Sequence, residues 1–206
     1  MGAADKKDTI EQVVFSLFLN QGYEGTSVRM ICKKAEIDPP TLYNYFDSKK
    51  GLFLSIIKKL LDRFIEESKS YESLLHVLPP DMQLYSIFSA NVNYALAHID
   101  EMKFYFRYTL FCPKELAKEV HELQKNVYQM GYKTIYDILI ECTQAGLIEV
   151  DAEIASVYFL IFLKNYIFNA VFENWQPSKG EMLELWKVFY KCRLKGKEVF
   201  DTTLEI

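Results

Sequence analysis

The stretch DPPTLYNYFDSKKGLF, residues 38–53, decides how the N-terminal part of this chain is read. Proline has a fixed φ and no N–H, so it is excluded from a helix interior. It is tolerated in the first turn, where the N–H groups have no intrahelical partner. Asp38 is a favourable capping residue directly before the two prolines. The stretch therefore opens a short helix at Asp38, with Pro39 and Pro40 in its first turn and Leu42 and Phe46 on its buried side. Ser48 caps the next helix, whose apolar stripe is Leu52, Phe53, Ile56, Ile57, Leu60 and Leu61.

On the N-terminal side, Ile10, Val13, Val14, Leu17 and Phe18 recur at helical spacing from Thr9, and Gly22 ends that helix. Thr26 is read as the cap of a second helix through Ala35, with Val28, Ile31 and Cys32 buried, and Glu36 and Ile37 make a short turn. Further on, the pattern predicts helices over 48–68, 81–99, 101–111, 114–145, 152–174 and 179–200, broken at Pro79-Pro80, Pro113, Gly146 and Pro177. No strand, repeat or low-complexity segment is read. The expected fold is all-α with about nine helices. A three-helix domain over 1–50 is linked by helix 48–68 to a C-terminal helical domain over 70–206.

Half of the 206 residues are apolar and 15% are aromatic, enough for a sizeable core. The four cysteines (Cys32, Cys112, Cys142, Cys192) are far apart and form no CxxC pair, which argues against a zinc site or disulfide framework. The start, MGAADKKDTIEQ, lacks the apolar core of a signal peptide. The nearest approach to a membrane span, Val157 to Leu163, is stopped by Lys164 and Asn165. A soluble, cytoplasmic chain without a membrane partner is expected. Net charge is −4, but residues 1–60 hold nine Lys/Arg against seven Asp/Glu, while the rest holds fifteen against twenty-one. A mildly basic head on an acidic body fits contact with a polyanion at one end.

The helix over 26–35, a tight turn and the helix over 38–46 are the parts of a helix-turn-helix, whose second helix enters the major groove by its N-terminal residues. Thr41, Tyr43 and Tyr45 offer hydroxyls to phosphate oxygens, and Lys49 adds charge at the next helix start. Pro39, Pro40 and Asn44 stand where base edges would be met, and Arg29 suits a bidentate contact to guanine. Thr26 and Ser27 complete the candidate DNA-binding set. The competing reading is that a short Tyr/Phe-rich helix only packs.

From about residue 10 to 54 the chain resembles the N-terminal domain of TetR-family transcriptional regulators. The likeness rests on Leu17, Phe18, Gly22, Thr26, Ser27, Ile31, Ala35, the TLYNYF run from Thr41 to Phe46, Lys49 and Leu52. It implies bases facing Arg29, Pro39, Pro40 and Asn44, and phosphates facing Thr41, Tyr43, Tyr45 and Lys49. Two positions depart from the family pattern: Glu36 where glycine is usual, and Cys32 where alanine is usual. The resemblance also implies a C-terminal domain that dimerises and holds a small-molecule effector.

The C-terminal residues must be read for themselves. The segment 152–174 is apolar nearly all round, so one side faces its own core and the other is expected to face a second subunit. Phe168 and Phe172, with Trp186 and Phe189 of the last helix, are the candidate dimer residues. In EMKFYFRYTLF, residues 101–111, Arg107 stands among Phe104, Tyr105, Tyr108 and Phe111. These five are candidate effector-pocket residues, with ordinary core packing as the alternative. Lys164 reads as a snorkelling surface lysine, or else as an anion contact. His76, His98 and His121 show no metal-ligand spacing, and no phosphate loop, GxSxG turn or Cys–His arrangement is found. No catalytic residue, metal or cofactor is expected. The sequence thus reads as a homodimeric, ligand-responsive regulator, a repressor released by its effector from a two-fold symmetric DNA operator. The alternative is a helical enzyme or binding protein whose N-terminal helices are only structural.

Overall fold

The computed structural model describes residues 3–194, and the side chains of 3–5 and 72–74 lie outside the description. Among the described residues there are nine α-helices, a terminal π-helical turn and no strand. The helices are α1 Ala3–Gly25, α2 Val28–Ala35, α3 Pro39–Tyr45, α4 Lys49–Leu75, α5 Pro80–Ala97, α6 Ile99–Leu110, α7 Lys114–Gln144, α8 Ala152–Phe172 and α9 Lys179–Phe189; the π turn is Tyr190–Leu194. The prolines act as expected, since Pro39 and Pro80 each open a helix. Gly22 breaks α1 with φ 77° and ψ 169°, but the chain resumes helical geometry as far as Gly25. The sequence pattern carries the last helix to residue 200; α9 ends at Phe189, and 195–200 lie outside the described residues.

The helices gather into two compact units whose division differs from the sequence reading. Residues 1–68 combine with 100–127, so α6 and the first half of α7 join the N-terminal helices. The core of this first unit is built from Ile10, Val14 and Phe18 of α1, Ile31 of α2 and Leu42 of α3. Phe53 and Ile57 of α4, Phe104 and Tyr108 of α6, and Leu116 and Val120 of α7 complete it. Phe53 is its hub, with ring centroids 5.4 Å from Phe18, 5.4 Å from Tyr23 and 4.6 Å from Tyr108. Edge-on aromatic pairs of this kind add to the burial energy of each ring.

The second unit comprises residues 69–99 and the described residues from 128 onward. Its core includes Leu84, Phe88 and Val92 of α5, Ile135 and Leu139 of α7, and Phe159 and Leu163 of α8, with Trp186 and Phe189 of α9. Helix α8 is long and apolar enough to cross a membrane by length and composition, which corrects the expectation that Lys164 ends the run too soon. Only 33% of its most apolar window is buried. Lys164 is exposed, as a snorkelling surface lysine would be.

Candidate nucleic-acid interface

Local capping chemistry sets the geometry of the candidate site. Ser27, not Thr26, caps α2: its Oγ accepts from the Met30 amide at 3.2 Å. At the other end Glu36 adopts the left-handed conformation (φ 54°, ψ 46°), and the Ile37 amide donates to the Cys32 carbonyl at 3.1 Å. That left-handed conformation explains why glycine suits the position better than the glutamate found here. Two residues later Asp38 caps α3, accepting from the Thr41 amide at 3.0 Å. Hydrogen bonds from the Thr41 hydroxyl and then its amide hold the Asp38 carboxyl below the usual carboxylate range.

The exposed members of the expected set are Ser27, Arg29, Pro39, Pro40, Tyr43 and Asn44. Tyr43 remains 49% exposed, which leaves its hydroxyl available to an outside partner. Thr41 is half-buried, and Tyr45 is half-buried against the core of the first unit. Two further exposed cations, Lys33 and Lys34 in the last turn of α2, carry no signal of their own in the sequence beyond their charge.

Two of the residues expected to meet DNA have partners within the chain. Thr26 is fully buried, and its Oγ1 donates to the Gly22 carbonyl at 2.8 Å, so it is not available to DNA. Lys49 is half-buried; its ammonium donates to the carbonyls of Tyr23 (2.8 Å) and Thr26 (2.9 Å) and stands over the Tyr23 ring. Burial lowers its pKa, with Glu115 and Glu24 pulling the other way. Its first task is to fasten the start of α4 to the chain that leads into α2.

Helices α6 and α7 fasten the same unit elsewhere. Arg107 Nη1 donates to the Leu19 carbonyl at 2.8 Å, and the Tyr108 hydroxyl donates to the Phe18 carbonyl at 3.1 Å. Burial pushes the Tyr108 hydroxyl up to about 12, so it stays a donor at neutral pH. Lys50 reaches the Glu115 carbonyl at 2.7 Å and the Glu119 carboxylate at 2.8 Å.

The five residues expected to ring an effector pocket therefore have three different surroundings. Phe104 and Tyr108 are buried in the first unit's core, and Tyr105 packs half-buried against it. Arg107 is bound to the Leu19 carbonyl of α1, just before the break at Gly22, and Phe111, 78% exposed, stands after α6. The expected dimer residues also divide. Phe168 and Phe172 are exposed and pack against each other with tilted rings, centroids 4.7 Å apart. Trp186 and Phe189 are buried in the second unit's core against Phe159.

With this geometry in place, comparison with known proteins becomes specific. Residues 15–56 match the family model for bacterial regulatory proteins of the tetR family. The probable HTH-type transcriptional regulator YttP of Bacillus subtilis is 25% identical over 135 residues, which span 66% of this chain and 63% of the relative, under two thirds of its length. Among solved structures, AibR in complex with isovaleryl coenzyme A and operator DNA is similar, with TM-score 0.62 and 17% identity over 90% of this chain and 96% of that one. FadR of Bacillus subtilis in complex with stearoyl-CoA is similar with TM-score 0.63 and 19% identity, over 92% of this chain and 98% of that one. The structural likenesses establish a shared all-α fold. The helix-turn-helix sequence match does more: residues 15–56 are similar to the DNA-binding segment shared by bacterial regulatory proteins of the tetR family.

Proposed function

We propose that this chain is a cytoplasmic, homodimeric repressor that binds a two-fold symmetric operator and is released by a small-molecule effector. The carrying observation is the exposed start of α3, where Pro39, Pro40, Tyr43 and Asn44 join the exposed Arg29 of α2 on a rigidly capped helix-turn-helix. Arg29 suits guanine, Asn44 suits adenine, and the prolines suit a thymine methyl. Tyr43 suits a phosphate oxygen.

The dimer is supported by α8. Ile154, Val157, Tyr158, Ile161, Phe168 and Phe172 are exposed and recur at helical spacing along one stripe. An apolar stripe of that length is covered by a partner in soluble proteins, and a second copy presenting the same stripe closes the assembly by two-fold symmetry. For the effector we infer an acyl thioester of coenzyme A. The support is that AibR and the Bacillus subtilis FadR, which share the fold, were solved with such molecules.

The test is a gel shift with DNA flanking the protein's own gene, at stated salt, with isovaleryl-CoA and stearoyl-CoA as probes. Retardation that resists random competitor DNA and is reversed by an acyl-CoA supports the reading. No preference over random DNA contradicts it, and retardation insensitive to both thioesters removes the effector class.

A further inference from the structure

Gly22 interrupts α1 in a conformation that no ordinary L-residue adopts cheaply, and two side chains of α6 meet the carbonyls just before it. The last carbonyls of a helix lack intrahelical donors and carry the negative end of the helix dipole. Here the Arg107 guanidinium donates to Leu19 at 2.8 Å and the Tyr108 hydroxyl to Phe18 at 3.1 Å. A cation is the favoured partner at such a terminus. The contact is close: a methyl group added at Gly22 would lie 2.7 Å from Arg107 Nη2.

The short chain after Gly22 aims the helix-turn-helix. The Thr26 amide donates to the Tyr23 carbonyl at 3.2 Å, and the Thr26 hydroxyl donates back to Gly22 at 2.8 Å. Lys49 then holds the Tyr23 and Thr26 carbonyls. Ser27, the next residue, caps α2. The segment is thus gripped before the break by α6 and after it by α4.

We propose that Arg107 and Tyr108 are positioning residues for DNA binding: by capping α1 at Gly22 they fix where α2, and through it α3, starts. This rests on the DNA-binding reading above. Neither side chain touches DNA in this account. Their effect reaches the operator through the placement of Ser27 and Arg29 and of the α3 start. The guanidinium also answers a question left by the sequence, since its neighbours Tyr105, Phe106 and Tyr108 do not reveal a partner 88 residues away.

The test uses the full chain, DNA flanking its own gene, and amide hydrogen exchange, which reads the cap without any DNA. Arg107→Met is expected to speed exchange over residues 22–36 while leaving α8 as in the wild type. It should weaken operator binding on the order of tenfold, the scale of one lost charge-assisted hydrogen bond. Arg107→Lys keeps a cation able to reach the carbonyl and should restore both readouts. Tyr108→Phe removes one hydroxyl with little change of volume; it should show the same pattern more weakly, and it decides the matter where the Met variant does not fold. Unchanged exchange over 22–36 overturns the proposal, as does a loss of binding that Arg107→Lys fails to recover. A wild type that binds no DNA overturns the DNA-binding reading and the positioning role with it, and that result is visible before any variant is made.

Discussion

The Lys49 ammonium lies 2.8 Å from the Tyr23 carbonyl and 4.0 Å from the centre of the Tyr23 ring. A lysine expected to neutralise a phosphate is instead held by backbone and an aromatic face. Lys49→Met should therefore cost about 1.5–3 kcal/mol of stability, the range for hydrogen bonds to a charged group. Denaturant titration measures that cost. The salt dependence of DNA binding should keep its slope, because the slope counts phosphates neutralised. A slope shallower by about one would return Lys49 to the DNA backbone.

Asp38 provides a pH-dependent cap. Its folded-state pKa is depressed by the Thr41 hydrogen bonds, so its contribution is complete above the unfolded carboxylate value, about 3.9, and is lost as pH falls through the folded value. Asp38→Asn keeps an acceptor for the Thr41 amide but no longer titrates. Its melting temperature should fall less steeply than the wild type's as the solution is acidified below about pH 4. Parallel melting curves across that range would show that the cap is energetically silent.

Glu36 holds a left-handed backbone at the turn between α2 and α3. Glu36→Gly should raise stability by about 1 kcal/mol, since an L-residue there carries a penalty that glycine avoids. Chemical denaturation of the two proteins side by side provides the check, and a less stable glycine variant would contradict the argument.

Phe172 and Phe168 pack with tilted rings on the exposed stripe of α8, whereas Trp186 lies in the second unit's core. Phe168→Glu should give folded monomers that lose cooperative operator binding, because a buried charge in a two-fold seam appears twice. Trp186→Ala should instead unfold the second unit's core, at about 3–5 kcal/mol. Light scattering and thermal melting separate the two. A wild type that is monomeric at micromolar concentration would remove the dimer from the account.

Much of the helical frame was legible because its signals are local. Proline at a helix start, Asp38 before Pro39 and the spacing of Ile10, Val14 and Phe18 act within a turn or two of chain. Lys49 and Arg107 have partners far along the sequence. Lys49 answers to Tyr23 and Thr26, and Arg107 to Leu19. Nothing in the residues around either one shows that. Thr26 and Ser27 are both capping types, and only the fold decides that Thr26 goes inward while Ser27 caps α2. Trp186 and Phe189 are covered by their own chain, and apolar periodicity marks a face as buried without saying whether the cover is the same chain or a second copy.

In the proposed regulator two copies of the helix-turn-helix read two related half-sites. Letting the purified protein select DNA from a random pool checks this. The expected product is an enriched inverted repeat whose half-sites are one helical turn apart, on the order of 34 Å. Arg29→Ala should relax preference at one base pair in each half-site, with a loss of about 1–3 kcal/mol on the selected sequence. An enriched sequence without two-fold symmetry, or no enrichment at all, would contradict the proposed reading.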